Sequence, residues 1–240
     1  MIANRSGKPP DRAGAASLQL GGFERLSLVD WPGMLTAVVF CQGCGWGCRY
    51  CHNPHLIPFV AAPAAPAWSD IFGWLQRRRG LLDGVVFSGG EPTLQPGLAA
   101  AIGDVRELGF KVGLHTGGPI PVTFATLLPQ LDWVGFDFKA PFDRYAQVTG
   151  HDHGARAQAS LTYLIQSRVA FEVRTTWHPH LLAHPDLAAM ARSLLEAGCA
   201  DWTLQVFRRE GCADAKLASI PADFRELATL AAPGLRIKVR

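Results

Sequence analysis

The chain has 240 residues, 48% hydrophobic and only 18% charged, against roughly 25% charged in an average globular domain. That composition favours one well-filled core and excludes a disordered or filamentous chain. A formal net charge of +3, with no Lys/Arg run longer than Arg77–Arg79, is too mild to argue for nucleic acid. No stretch reaches the ~18 consecutive apolar residues of a membrane span. The opening MIANRSGKPPDRAGAAS reads as a loose polar tail over residues 1–17, without the apolar centre of a signal peptide. The expectation is a cytoplasmic protein with no membrane or nucleic-acid partner and one domain over residues 18–240.

From Leu35 onward two patterns alternate. LTAVVF (35–40) reads as a strand and is followed by a cysteine-rich loop and a Pro/Ala linker, PFVAAPAAP (58–66). WSDIFGWLQRRRG (68–80) reads as a helix with Ser69 as N-cap and Gly80 as its stop. GVVFS (84–88) is the next strand, and PGLAAAIGDVRELG (96–109) the next helix, with Pro at its start and Gly at its end. KVGLHT (111–116) and DWVGFDF (132–138) are strands on either side of a weaker helix at 121–131. RAQASLTYLIQSR (156–168) is helical, VAFEVRTT (169–176) a strand, HPDLAAMARSLLEAG (184–198) helical, DWTLQVF (201–207) a strand and PADFRELATLAA (221–232) helical. Strands alternating with helices imply a parallel sheet with right-handed crossovers. The roughly 200 residues available fall short of the ~250 of a closed eight-unit barrel. An open α/β barrel of six units fits, with a flat doubly wound sheet as the alternative.

The unusual residues fall at the ends of these strands: the cysteine loop after the first, SGGEPT (88–93), HTGG (115–118), DFKAP (137–141), RTTWHP (174–179) and QVFRR (205–209) after the rest. In a parallel α/β fold all these ends share the face on which active sites are built. Asp137 and Lys139 lie two apart on one strand and so share a side, as do Glu172, Arg174 and Thr176. An ion pair within each set is the alternative to a ligand-binding role.

Four of the six cysteines lie between residues 41 and 51, in CQGCGWGCRYCHNP. In a reducing compartment such crowding reads as metal ligation before disulfides. Cys41-x-x-Cys44 and Cys48-x-x-Cys51 make a cramped zinc pair. Cys44-x-x-x-Cys48-x-x-Cys51 leaves Cys41 as a small apolar residue beneath the loop, and Cys199 and Cys212 as structural thiols.

That second spacing resembles the radical S-adenosylmethionine superfamily. Within it, ERLSLVDWPG (24–33), QGCGWGCRYCHNP (42–54), SGGEPTLQ (88–95), DFKAP, Thr149–Gly150, RTT (174–176) and LQVFR (204–208) are similar to the glycyl-radical-enzyme activases, and above all to anaerobic ribonucleoside-triphosphate reductase activating proteins. The resemblance implies a partial (β/α)6 barrel of the radical S-adenosylmethionine type. It implies a 4Fe–4S cluster held by Cys44, Cys48 and Cys51, with one iron open to the amine and carboxylate of S-adenosylmethionine. Gly89, Gly90 and Glu91 would hold the amino group, Lys139 and Arg174 the carboxylate and Asp137 the ribose, with Tyr50 on the adenine and Thr116 also at the cofactor. No side chain is assigned acid–base chemistry. The implied reaction is reductive cleavage of S-adenosylmethionine, fed by reduced flavodoxin or ferredoxin, to a 5′-deoxyadenosyl radical that makes a glycyl radical on a partner enzyme. A radical enzyme acting on a small molecule such as a deazapurine precursor is the alternative, and a cluster-binding module without turnover a third. Relatives tend to carry an acid where this chain has His115, so a monovalent-cation site is not carried over.

Overall fold

A computed structural model of the chain describes residues 12–212, 214–218 and 233–240. Its sheet has eight strands in sequence order. β1 (Leu20–Ser27) runs antiparallel to β2 (Thr36–Cys41). β3 (Gly84–Gly89), β4 (Lys111–Thr116), β5 (Trp133–Asp137), β6 (Ala170–Trp177), β7 (Asp201–Val206) and β8 (Arg236–Val239) follow, each parallel to its predecessor. The helices are α1 (Arg12–Ala15), α2 (Trp68–Gln76), α3 (Leu98–Glu107), α4 (Pro121–Leu127), α5 (Ala146–Thr149), α6 (Gly154–Gln166), α7 (His184–Glu196) and α8 (Ala215–Ala218). The six expected strands are β2–β7, the parallel units of a partial (β/α)6 barrel. β1 and β8, which frame them, were not expected. The helix expected over 221–232 lies outside the described residues.

Two boundaries differ from expectation. α2 starts at Trp68 with Ala67 as its N-cap, so Ser69 lies inside the first turn. The cause is tertiary: the buried Trp68 indole N–H donates to Asp104 Oδ2 of α3 at 2.8 Å, which draws the helix start back into the core. Within the stretch expected to be loose up to Ser17, Arg12–Ala15 form α1, and Ala15 is fully buried in the main core.

The sheet has two differently covered faces, because successive strand residues point to opposite sides. Val39, Phe87, Leu114 and Phe136 face the helices and join Leu75, Ile102, Phe124 and Leu164 in the main core. On the other face Val38, Val86 and Trp133 form a separate cluster with Trp31, which comes from the β1–β2 connection. The Trp31 and Trp133 rings stack with centroids 5.5 Å apart and an interplanar angle of 17°. Space for the Trp31 ring is made by what Gly113 and Gly84 lack: a Cβ at Gly113 would sit 2.8 Å from the ring, and one at Gly84 3.2 Å from it. The Ser27 hydroxyl folds the connection back by accepting from the Val29 and Asp30 N–H groups at 3.2 Å. ERLSLVDWPG is thus an indole plug on the inner face of the sheet.

Two glycine substitutions test this packing in opposite directions. Gly113→Ala forces the stacked indole to move and should destabilise the chain by about 1–3 kcal/mol. Gly103→Ala, in α3 with open space around its Cβ position, should stabilise it by about 0.5–1 kcal/mol. Chemical denaturation of both variants is the measurement. Equal effects would mean that the glycine at 113 is not there for Trp31.

Candidate active site

The loop after β2 is fixed by backbone pairing and by several of its polar side chains. Gly43 and Cys44 donate to the carbonyls of Leu56 and Ile57 at 2.8 and 3.0 Å, and Gly47 and Arg49 to those of Thr149 and Val148 in α5 at 2.9 and 3.2 Å. The Gln42 amide donates to the His55 and Pro58 carbonyls at 3.0 and 2.6 Å. His52 stacks on Phe207 and its Nε2 lies 2.9 Å from the Arg208 carbonyl, which moors the far end of the loop to the end of β7. The next strand end comes close: Glu91 N–H donates to the Gly43 carbonyl at 2.9 Å, and a Cβ on Gly90 would lie 2.3 Å from that oxygen.

The strand ends surround one cleft. Cys44, Cys48, Cys51, Tyr50, Gly89, Gly90, Glu91, Thr116, Asp137, Lys139 and Arg174 all line it. Every site residue expected from the sequence is therefore brought to the same cavity. Trp46, His52, Asn53, Ser88, His115 and Thr176 line it too and were not expected as ligand contacts. The signal for three of them was present: Ser88, His115 and Thr176 stand at strand ends on the alternation that relates Asp137 to Lys139.

Glu91 is 3% exposed, and its Oε1 accepts from the Thr93 N–H at 3.0 Å and from the Thr93 and Thr116 hydroxyls at 2.6 and 2.7 Å. Its Oε2 accepts only the Gly117 N–H, at 3.0 Å, among the hydrogen bonds of the described residues. Burial pushes this carboxyl up while these donors pull it down, with a net rise. An ammonium group at Oε2 would supply the missing positive partner.

Asp137 Oδ1 accepts from Arg174 Nη2 at 2.8 Å and Nε at 3.1 Å, and Lys139 Nζ lies 3.4 Å from Oδ2. Burial raises the Asp137 pKa, but Arg174 and then Lys139 outweigh it and hold it at about 2. The alternative of an Arg174–Glu172 pair does not form. Glu172 instead binds Arg240 at 2.9 Å and accepts the Thr203 hydroxyl at 2.8 Å. The register decides this, since Asp137 is the direct cross-strand partner of Arg174. Lys139 also stands over the rings of Trp46 and Tyr50, 5.5 and 5.7 Å from their centroids. Two aromatic faces, two cations and two carboxylates suit a zwitterionic ligand that carries a ring.

The thiols fit an iron–sulfur group. Burial pushes Cys44 up to about 12 and raises Cys48 and Cys51, which disfavours free thiolates there. Among the described residues no three His, Cys, Asp or Glu side chains converge as a single ion requires. Three thiols spaced around one cleft match a polynuclear group that takes one thiolate per metal atom. Cys41 is fully buried in the outer core, away from the cleft, which removes it from a four-cysteine zinc site. Cys212, expected to be a remote structural thiol, packs beside the loop with its Sγ 3.4 Å from the Arg49 carbonyl.

Among the described residues no helix is long and apolar enough to cross a membrane. Residues 38–176 match the radical SAM superfamily. The chain is 28% identical over 224 residues to a glycyl-radical enzyme activating enzyme of Methanocaldococcus jannaschii, covering 88% of this chain and 91% of that one. It is 30% identical over 193 residues to the pyruvate formate-lyase-activating enzyme of Streptococcus mutans, covering 73% and 68%. The structure of QueE from Escherichia coli shares the fold at a TM-score of 0.55 and 16% identity, over 93% of both chains. With a 4Fe–4S cluster and S-adenosylmethionine as the family's cofactors, the chain belongs to the radical SAM superfamily, alongside the activating enzymes of glycyl-radical proteins.

Proposed function

We propose that the chain generates a glycyl radical on a partner enzyme, and that this partner is an anaerobic ribonucleoside-triphosphate reductase. The observation that carries the reading is the convergence of three thiols and a charge-complementary ligand cradle on one cleft, in a chain whose relatives over most of its length are activating enzymes. Bound there, the cluster and S-adenosylmethionine would supply a 5′-deoxyadenosyl radical able to take a hydrogen atom from a glycine Cα, with methionine as the other product of the one-electron cleavage.

The protein's own work is positioning and exclusion of water. Cys44, Cys48 and Cys51 hold the cluster. Glu91 Oε2, still short of donors, receives the ligand's ammonium. Lys139 and Arg174 face its carboxylate. Asp137, ionised throughout the working pH range, accepts ribose hydroxyls at Oδ2, and Tyr50 and Trp46 offer faces for the adenine. None of these groups has to gain or lose a proton in turnover. Reduced flavodoxin or ferredoxin is the electron donor, approaching the half-exposed cysteine loop.

Three expected outcomes follow from these assignments. Anaerobic reconstitution with iron and sulfide analysis should show loss of the cluster in Cys44→Ala, Cys48→Ala and Cys51→Ala, and retention in Cys41→Ala, Cys199→Ala and Cys212→Ala. Retention in Cys51→Ala would remove it from the ligand set. Charge-assisted hydrogen bonds are worth ~1.5–3 kcal/mol, so Glu91→Gln and Lys139→Ala should each weaken S-adenosylmethionine binding roughly 10- to 150-fold with the cluster intact. Unchanged affinity in both would show that the ligand lies elsewhere. Mixed with reductant, S-adenosylmethionine and the reductase of the same organism, the protein should produce a carbon-centred doublet in electron paramagnetic resonance that collapses when glycine Cα is deuterated. Formation of 5′-deoxyadenosine with a small metabolite alone, and no doublet, would move the reading to small-molecule chemistry.

A further inference from the structure

His115 stands at the end of β4 between the indole plug and the ligand cradle. Its Nε2 lies 2.7 Å from the Asp30 carbonyl of the plug and 3.0 Å from Arg174 Nη1, and its Nδ1 lies 3.1 Å from the Ser88 hydroxyl. The ring packs edge-on against Trp133, and both it and Arg174 line the cleft. Gly135 lies beneath the pair: a Cβ there would sit 2.7 Å from the Arg174 guanidinium and 2.9 Å from the imidazole.

The two contacts of Nε2 cannot both be hydrogen bonds in a neutral ring. A carbonyl only accepts and a guanidinium only donates, so one nitrogen must either carry a proton for Asp30 or offer a lone pair to Arg174. Burial, and then the charge of Arg174, push its pKa down to about 3, which favours a neutral ring even with the Asp30 carboxylate 4.0 Å from Nδ1. The Ser88 hydroxyl rotates to suit either tautomer and decides nothing. The Asp30 contact is the shorter one, and it fails entirely without a proton on Nε2. Arg174 loses little, since Nε and Nη2 are already committed to Asp137.

We infer that His115 is a positioning residue whose Nε2–H tautomer pins the plug through Asp30 and, by denying Arg174 an acceptor, keeps the Nη1 hydrogens for a carboxylate of the ligand. The inference rests on the reading that the cleft holds S-adenosylmethionine. It makes one ring responsible both for anchoring the inner core and for selecting a carboxylate-bearing ligand.

Gln and Glu at position 115 have the same shape, but only Gln can donate to the Asp30 carbonyl, whereas ionised Glu can only accept. The test titrates reconstituted wild type, His115→Gln and His115→Glu by calorimetry with S-adenosylmethionine and with its decarboxylated analogue. Wild type should prefer the carboxylate-bearing ligand by roughly tenfold or more. His115→Gln should keep that preference within about threefold, while His115→Glu, which captures Nη1, should abolish it. The ligands differ by one negative charge, so a general charge effect of Glu also lowers the ratio; His115→Asp, which carries the charge on a shorter side chain, measures that effect, and an equal fall in Asp and Glu overturns the inference. A purely structural role would make Gln and Glu fall together, and that result, or a preference retained by Glu, overturns the inference. Nitrogen NMR of histidine-labelled, oxidised wild-type protein gives a second readout that needs no variant to fold: a proton on Nε2 supports the inference and one on Nδ1 overturns it. Failure of wild type to bind S-adenosylmethionine at all is a separate result, which removes the parent reading and this inference with it.

Discussion

The architecture turns on one buried carboxylate. Glu91 leaves β3, accepts from the Thr116 hydroxyl and Gly117 N–H at the end of β4, and through its own N–H holds the Gly43 carbonyl of the cysteine loop after β2. Three strand ends, which the ladder aligns only along their lengths, are thereby fixed to one another at the rim. A carboxylate removed from water this fully is tolerated only with several donors. Those donors are backbone and hydroxyl groups, not cations, so the negative charge is shared but not cancelled. The cleft inherits an anionic spot beside the thiols and a cationic one at Lys139 and Arg174.

From plug to rim, the inner face changes character in steps. The stacked indoles of Trp31 and Trp133 are dry and apolar. Next comes the neutral imidazole of His115, which speaks to the apolar layer through a ring edge and to the polar layer through two nitrogens. Above it lies the Asp137–Arg174 pair, and at the rim the cysteine loop. Parallel register produces this layering, since neighbouring strands present residues of equal height: Trp133 beside Gly113, Gly135 beside His115, and Asp137 beside Arg174.

Much of this was legible in the sequence, for identifiable reasons. β2–β7 are strands buried on both faces, so their β-branched and aromatic runs stand out against polar turns. The residues expected at the site converge on one cleft because they fall at or just after strand ends, where topology alone gathers them. β1 was hidden because LGGFERLS carries two glycines and no buried residue between its ends, and β8 because RIKV is four residues long and exposed at three of them. The start of α2 was misplaced because a contact 36 residues away, Trp68 to Asp104, outweighed the local preference for serine at a cap. Glu172 looked like the partner of Arg174 because it is near in sequence, whereas register puts Asp137 opposite. His115 looked like a missing acid. Its contacts to Asp30 and Ser88 join positions 85 and 27 residues away, which no local pattern records.

Gly135 shows what such a site asks of residues that have no functional group. The guanidinium of Arg174 lies where its side chain would begin. Any other amino acid at this position therefore displaces the guanidinium or the imidazole, although a comparison restricted to charged and metal-binding residues would score a variant there as intact. Such a variant would keep its thiols, its acids and its lysine and still move Arg174. The heritable description of the site thus includes a volume kept empty as well as the groups that fill the space around it.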